Sequence, residues 1–142
     1  MTTSLDIAKE IIAAARSYAS RHALKPLVIV VLDSGGHLVA AEREDGTSIK
    51  RYEIAFGKAH GALALGMGSR ALMARAEQQP YFVSAATSAI GGLLVPVPGG
   101  VLIRDAEGAI VGAVGISGDT SDNDEAAAVA GIEAVTLTAQ TD

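Results

Sequence analysis

Three histidines, at 22, 37 and 60, are the side chains of this 142-residue chain that titrate unaided near neutral pH. His22 falls at the end of a helical pattern, where contact with the helix dipole explains it. His37 follows a glycine turn and reads as solvated. His60 differs, because it sits in mid-helix within Phe56-Gly57-Lys58-Ala59-His60-Gly61-Ala62. The glycines there cost helix propensity and leave room for something to approach. Zinc needs further ligands, and no H-x-x-x-H pair exists. A haem iron needs only one imidazole, with an apolar pocket and a cation or two for the propionates. The plain alternative makes His60 a surface or interface side chain.

Cations and acids stand nearby in sequence. Arg43, Glu44 and Asp45 end a strand pattern just before the helix that carries Lys58. A guanidinium at 43 can take a carboxylate bidentately, with Lys58 as a second cation. The same residues support a cofactor-free enzyme acting on a small carboxylate or carbonyl compound. In that scheme Arg43 orients the substrate and His60 or Asp45 moves a proton. Lys58 then stabilises an enolate or forms a Schiff base. An ordinary solvated charge cluster is the third reading of Arg43 to Asp45.

Other motifs carry less. Gly66-Met67-Gly68-Ser69-Arg70-Ala71 fits a loose G-x-G-x-x-A, yet it follows a helix where the dinucleotide fingerprint needs a strand. Gly115-Ile116-Ser117-Gly118-Asp119 resembles a nucleophile elbow but lacks its last glycine. Asp122-Asn123-Asp124-Glu125 has neither the glycine nor the spacing of a calcium loop, and reads as the acidic start of a helix.

These residues must be held by a lightly built chain. It has 27 alanines and 16 glycines, about 30% of its length, with aromatics at 4% and no cysteine. Disulfides and thiolate sites are excluded, and a net charge of −5 with no basic cluster argues against nucleic acid. Alanine buries little apolar area, so the private core is thin and a homo-oligomer sharing apolar surface is expected. No signal-like N-terminus and no membrane-length apolar run are present, so the expected location is cytoplasmic.

Periodicity predicts one domain, ordered helix, hairpin, two helices, hairpin, helix. A helix is expected over 5–22 with Thr3 and Asp6 as a capping box. A hairpin spans 27–32 and 37–43 around Ser34-Gly35-Gly36. Helices follow over 48–65, stopped by Gly66, and from Ser69 to before Pro80, while 80–98 reads as irregular. A second hairpin covers 101–104 and 109–117, with glycines 112, 115 and 118 marking bulges or close backbone approach. A last helix over 122–138 is capped by Ser121 and Asp124. Segregated hairpins favour α+β with an antiparallel sheet.

The ordered set of motifs resembles one known family. Val30-Val31-Leu32-Asp33-Ser34-Gly35-Gly36-His37-Leu38 with Arg43-Glu44-Asp45-Gly46, Ala55-Phe56-Gly57-Lys58-Ala59, Gly99-Gly100-Val101-Leu102-Ile103 and Val111 to Gly118 are similar to the pattern of the GlcG/HbpS-like proteins. This family is related to haem binding and haem degradation and includes the C-terminal domain of PduO-type proteins. The resemblance covers nearly the whole chain. It implies a profilin-like α+β fold, assembly from dimer to octamer, and haem or a related small molecule as ligand. At His60-Gly61 and Gly68-Ser69 the chain departs from the family pattern. The expected pocket lies between the Lys58 helix, the Arg43 to Asp45 segment and the Gly99-Gly100 turn, with His60 as the candidate iron ligand.

Overall fold

The computed structural model describes residues 2–142. Five helices, α1 (Leu5–Arg21), α2 (Arg51–Leu65), α3 (Ser69–Gln78), α4 (Pro80–Ala89) and α5 (Ser121–Ala134), accompany one five-stranded sheet. Its strands are β1 (Val28–Asp33), β2 (Leu38–Arg43), β3 (Gly100–Arg104), β4 (Ile110–Ser117) and β5 (Thr138–Gln140). The order is β2-β1-β4-β3-β5, antiparallel throughout. The two expected hairpins are therefore joined edge to edge through β1 and β4, with Val30 opposite Gly115.

Alternation sorts the sheet's side chains into two layers. Ile29, Val31, Val101, Ile103, Val114 and Ile116 face α1 and α5. Val28, Val30, Leu32, Leu102 and Ala113 face Ala55, Ala59 and Ala62 of α2. The helix-side partners are mostly alanine, so layers are held by closeness rather than by bulk. Gly131 of α5 meets the backbone of α1 at Ile11, and Gly115 of β4 meets α2 at Ala55.

Several boundaries differ from the sequence reading. Ser4, not Thr3, caps α1 by accepting from Ile7 N–H at 3.2 Å, while Thr3 Oγ1 donates to Val111 O at 2.8 Å. Thr120, not Ser121, caps α5 by accepting from Asn123 N–H at 3.2 Å. Pro80 begins α4 instead of only ending α3, because proline's missing N–H costs nothing at a first helical position. The chain leaves α5 at Ala134 and pairs β5 with β3, where a longer helix was expected. Replacing Thr120 by alanine orphans one N–H, so a loss of about 1 kcal/mol in chemical denaturation is expected.

Candidate functional site

Lys58 is buried. Only 2% of its side chain is exposed, and Nζ donates to Ile116 O at 2.9 Å and to Asp124 Oδ2 at 3.1 Å. Asp124 is equally enclosed and also accepts from the Asp119 N–H at 2.9 Å. Burial pulls the lysine pKa down and the aspartate pKa up, each opposed by the attraction between them. Gly99 and Gly100 do come beside Lys58, as packing. A Cβ at 99 would stand 2.8 Å from Nζ, and one at 100 would overlap the Lys58 carbonyl. No ligand space separates these groups.

Arg43 and Asp45 are exposed at the far end of the β1–β2 hairpin. Arg43 pairs with Val28, the first residue of β1, whereas the Gly35-Gly36 turn follows its last. A six-residue strand puts those ends about 17 Å apart. On either side of Arg43 in sequence, Glu42 and Glu44 hold Arg16 at 2.9 and 3.2 Å. Arg43 and Asp45 thus stand a strand's length from the glycine-turn end, while Lys58, Gly99 and Gly100 are packed directly against one another.

His60 lies at the glycine-turn end. Its Nδ1 sits 2.9 Å from Leu93 O, and since a carbonyl only accepts, Nδ1 carries the proton. The Nε2 lone pair is left uncommitted on the side that Gly36 approaches, in left-handed backbone at φ +81°. A hollow of about 120 Å³ opens here, lined by His60, Leu63, Ala64 and the 34–36 turn. The ring stacks on Phe56, centroids 5.8 Å apart, and Phe56 meets Tyr52 at 6.0 Å. Spaced four apart, these rings make a stripe on the outer face of α2. A second hollow of about 240 Å³ lies along it, lined by Tyr52, Glu53, Phe56 and Leu93.

A family model described as haem degrading protein HbpS-like matches residues 3–133. The chain belongs to the HbpS-like family. Among solved structures, HbpS is 27% identical, with a TM-score of 0.79 over 92% of this chain and 88% of that one. The PduOC:heme complex is 24% identical, with a TM-score of 0.85 over 96% and 97%. The Klebsiella pneumoniae protein ORFY is 24% identical, with a TM-score of 0.86 over 96% and 92%. No curated protein matches this sequence.

Within this HbpS-like chain, the glycines flanking His60 are not an open face. Val95 fills the space at Gly57, where a Cβ would stand 2.7 Å from Cγ2, and Leu94 fills it at Gly61 at 2.9 Å. The segment carrying Leu93 to Val95 is the one that read as irregular, so its role as a wall was not legible. Asp124 as the partner of Lys58 was equally hidden, 66 residues away in sequence. The elbow-like Ser117 is buried and accepts from Arg51 Nη1 at 3.1 Å.

Proposed function

We propose that this HbpS-like protein binds a small planar ligand, haem or a related anionic molecule, on the outer face of α2, with His60 as its reading residue. The observation that carries this is the Nδ1–H bond from His60 to Leu93 O. Such a bond fixes the tautomer and leaves the Nε2 lone pair free to ligate, the arrangement typical of metal-binding imidazoles. The family description and the haem complex of PduOC support the same ligand class.

The residues present fit haem in part: an imidazole with an uncommitted Nε2 and the apolar flank of Phe56, Tyr52 and Leu93. Glu53 borders the same surface, and among the described residues no cation lines either hollow. Bound haem supplies a redox-active iron. The chain's own residues orient the imidazole and exclude water from one face. The hollows are shallow, so the stripe gives one wall, and a second copy of the chain supplies the other in a homo-oligomer. Arg43 and Lys58 have no part in this site as the protomer places them. A cofactor-free acid–base enzyme needs Arg43 and Asp45 beside His60, and a strand's length stands between them. A cytoplasmic location belongs to the same proposal. Among the described residues, no helix is long and apolar enough to cross a membrane.

Titration with hemin tests this reading. A saturable shift of the Soret band is expected, with affinity falling at least tenfold in His60→Ala while the thermal midpoint stays near that of the parent. No shift, or an equal one in the variant, overturns it.

A further inference from the structure

The opposite end of α2 carries a second arrangement that the His60 site does not use. A hollow of about 190 Å³ is lined by Lys25, Thr47, Ser48, Arg51 and Gly118, among others. The chain is net −5, yet two cations share this hollow and, among the described residues, neither forms a salt bridge. Arg51 is held in place rather than left to wander. Its Nε donates to Ser48 Oγ at 3.1 Å and its Nη1 to Ser117 Oγ at 3.1 Å. A guanidinium has five N–H donors, so three remain, one on Nη1 and two on Nη2, enough to meet an oxyanion with two parallel bonds.

Two independent observations point to a ligand. Thr47 lines the hollow, and its Oγ1 is buried without a hydrogen-bond partner among the described residues, a cost that a small shift toward an acceptor in the hollow would relieve. The first turn of α2 lies beside it, and no side chain caps that helix, so its N–H groups and dipole add to the attraction. Of the acids close in sequence to the lining, Asp45 precedes Gly46, Glu53 in the first turn of α2 pairs with Lys50, and Asp119, after Gly118, is already committed. Its carboxylate accepts from the N–H groups of Lys25 and Thr120 and from Asn123 Nδ2, each at 2.7 Å, and these bonds hold its pKa low.

The geometry points to a binding site for a small oxyanion, a carboxylate or phosphate group, held by Arg51 and Lys25 with Thr47 donating its hydroxyl. The site is separate from the proposed haem surface. Nine helical steps separate Arg51 from His60, about 13 Å along the axis.

The test is a thermal-shift and calorimetric titration of the full chain with inorganic phosphate and, separately, with malonate. Sodium chloride at matched ionic strength is the control. At least one probe is expected to raise the midpoint above the chloride control and to give a saturable heat, and the pair tells which oxyanion chemistry is preferred. Arg51→Gln is expected to weaken binding tenfold or more, and Lys25→Gln severalfold. Thr47→Val separates binding from folding. It removes an orphaned hydroxyl, so the unliganded midpoint should hold or rise, while affinity for the probe falls severalfold. Neither probe exceeding chloride, or equal affinity in Arg51→Gln and Thr47→Val, overturns the proposal. Hemin binding in Arg51→Gln should match the parent, so failure here leaves the His60 reading standing, and the reverse.

Discussion

Lys58→Met is expected to cost about 3–5 kcal/mol at neutral pH, the range for removing one partner of a buried ion pair. For a chain of this length that lowers the thermal midpoint by about 10 °C or more. The pair is enclosed at 2% and 1% exposure, so water cannot screen the charge that remains. Nζ also ties α2 to the end of β4 through Ile116 O, and Asp124 sits in the first turn of α5. One side chain therefore fastens helices that pack on opposite faces of the sheet. Methionine keeps the length of the stem and loses both bonds.

The sign of the pH dependence identifies the cause. In Lys58→Met the stranded Asp124 carboxylate has lost the attraction that opposed its desolvation, so its folded pKa rises further above the unfolded value of about 3.9. A raised folded pKa contributes stability that is fully present below the unfolded pKa and lost as pH rises through the folded one. The gap between variant and parent should thus narrow as pH falls from 7 toward 4, followed by urea denaturation at each pH. A variant as stable as the parent at pH 7, or a gap that widens on acidification, rules this account out. Asp124→Leu added to Lys58→Met removes the stranded charge and should recover much of the loss.

The sheet was legible because its signal is local. Apolar, β-branched runs at 27–32 and within 101–117, bounded by glycine turns, are enough to define β1 to β4, and three- and four-residue spacing defines α1, α2 and most of α5. What was not legible depends on distance. Pro80 looks like a stop from one side and a start from the other, and only the packing of Val83 with Leu72 and Leu94 decides for α4. Glycine announces close approach without naming what approaches. Gly57 and Gly61 read as room for a ligand, and the chain's own Leu94 and Val95 occupy it. Lys58 read as a cation for a ligand because its spacing places it on the His60 helix. That helix turns Lys58 inward and His60 outward, two residues apart. Arg51 and Thr47 carried no motif at all, since Ser117, which accepts from Arg51, and Gly118, which lines the hollow with them, lie some 70 residues away.

Gly115→Ala is expected to be at least as damaging as the loss of Lys58, for a reason that is purely steric. Gly115 is not in the left-handed region, so alanine meets no backbone strain there. It lies in the sheet's central strand, opposite Val30 on one side and Gly100 on the other. An added Cβ would overlap the carbonyl oxygen of Ala55 and stand 3.0 Å from Ala59 Cβ. Neither is the free end of a flexible side chain. Relief requires α2 to lift from the sheet, which also parts Ala55, Ala59 and Ala62 from Val28, Val30 and Leu102. Overpacking of this kind costs about 1–3 kcal/mol where side chains can yield, and a backbone collision belongs at or beyond the upper end. Gly91→Ala provides the contrast: φ is +86° but nothing lies within 4 Å, so only conformational strain of about 1–2 kcal/mol is expected. Denaturant midpoints of the two variants should therefore differ in the opposite order from their backbone strain. Because α2 carries both His60 and Arg51, a folded Gly115→Ala protein should also bind hemin and the oxyanion probe more weakly. A Gly115→Ala variant within 1 kcal/mol of the parent would show that α2 is not seated on β4 as closely as Gly115 requires.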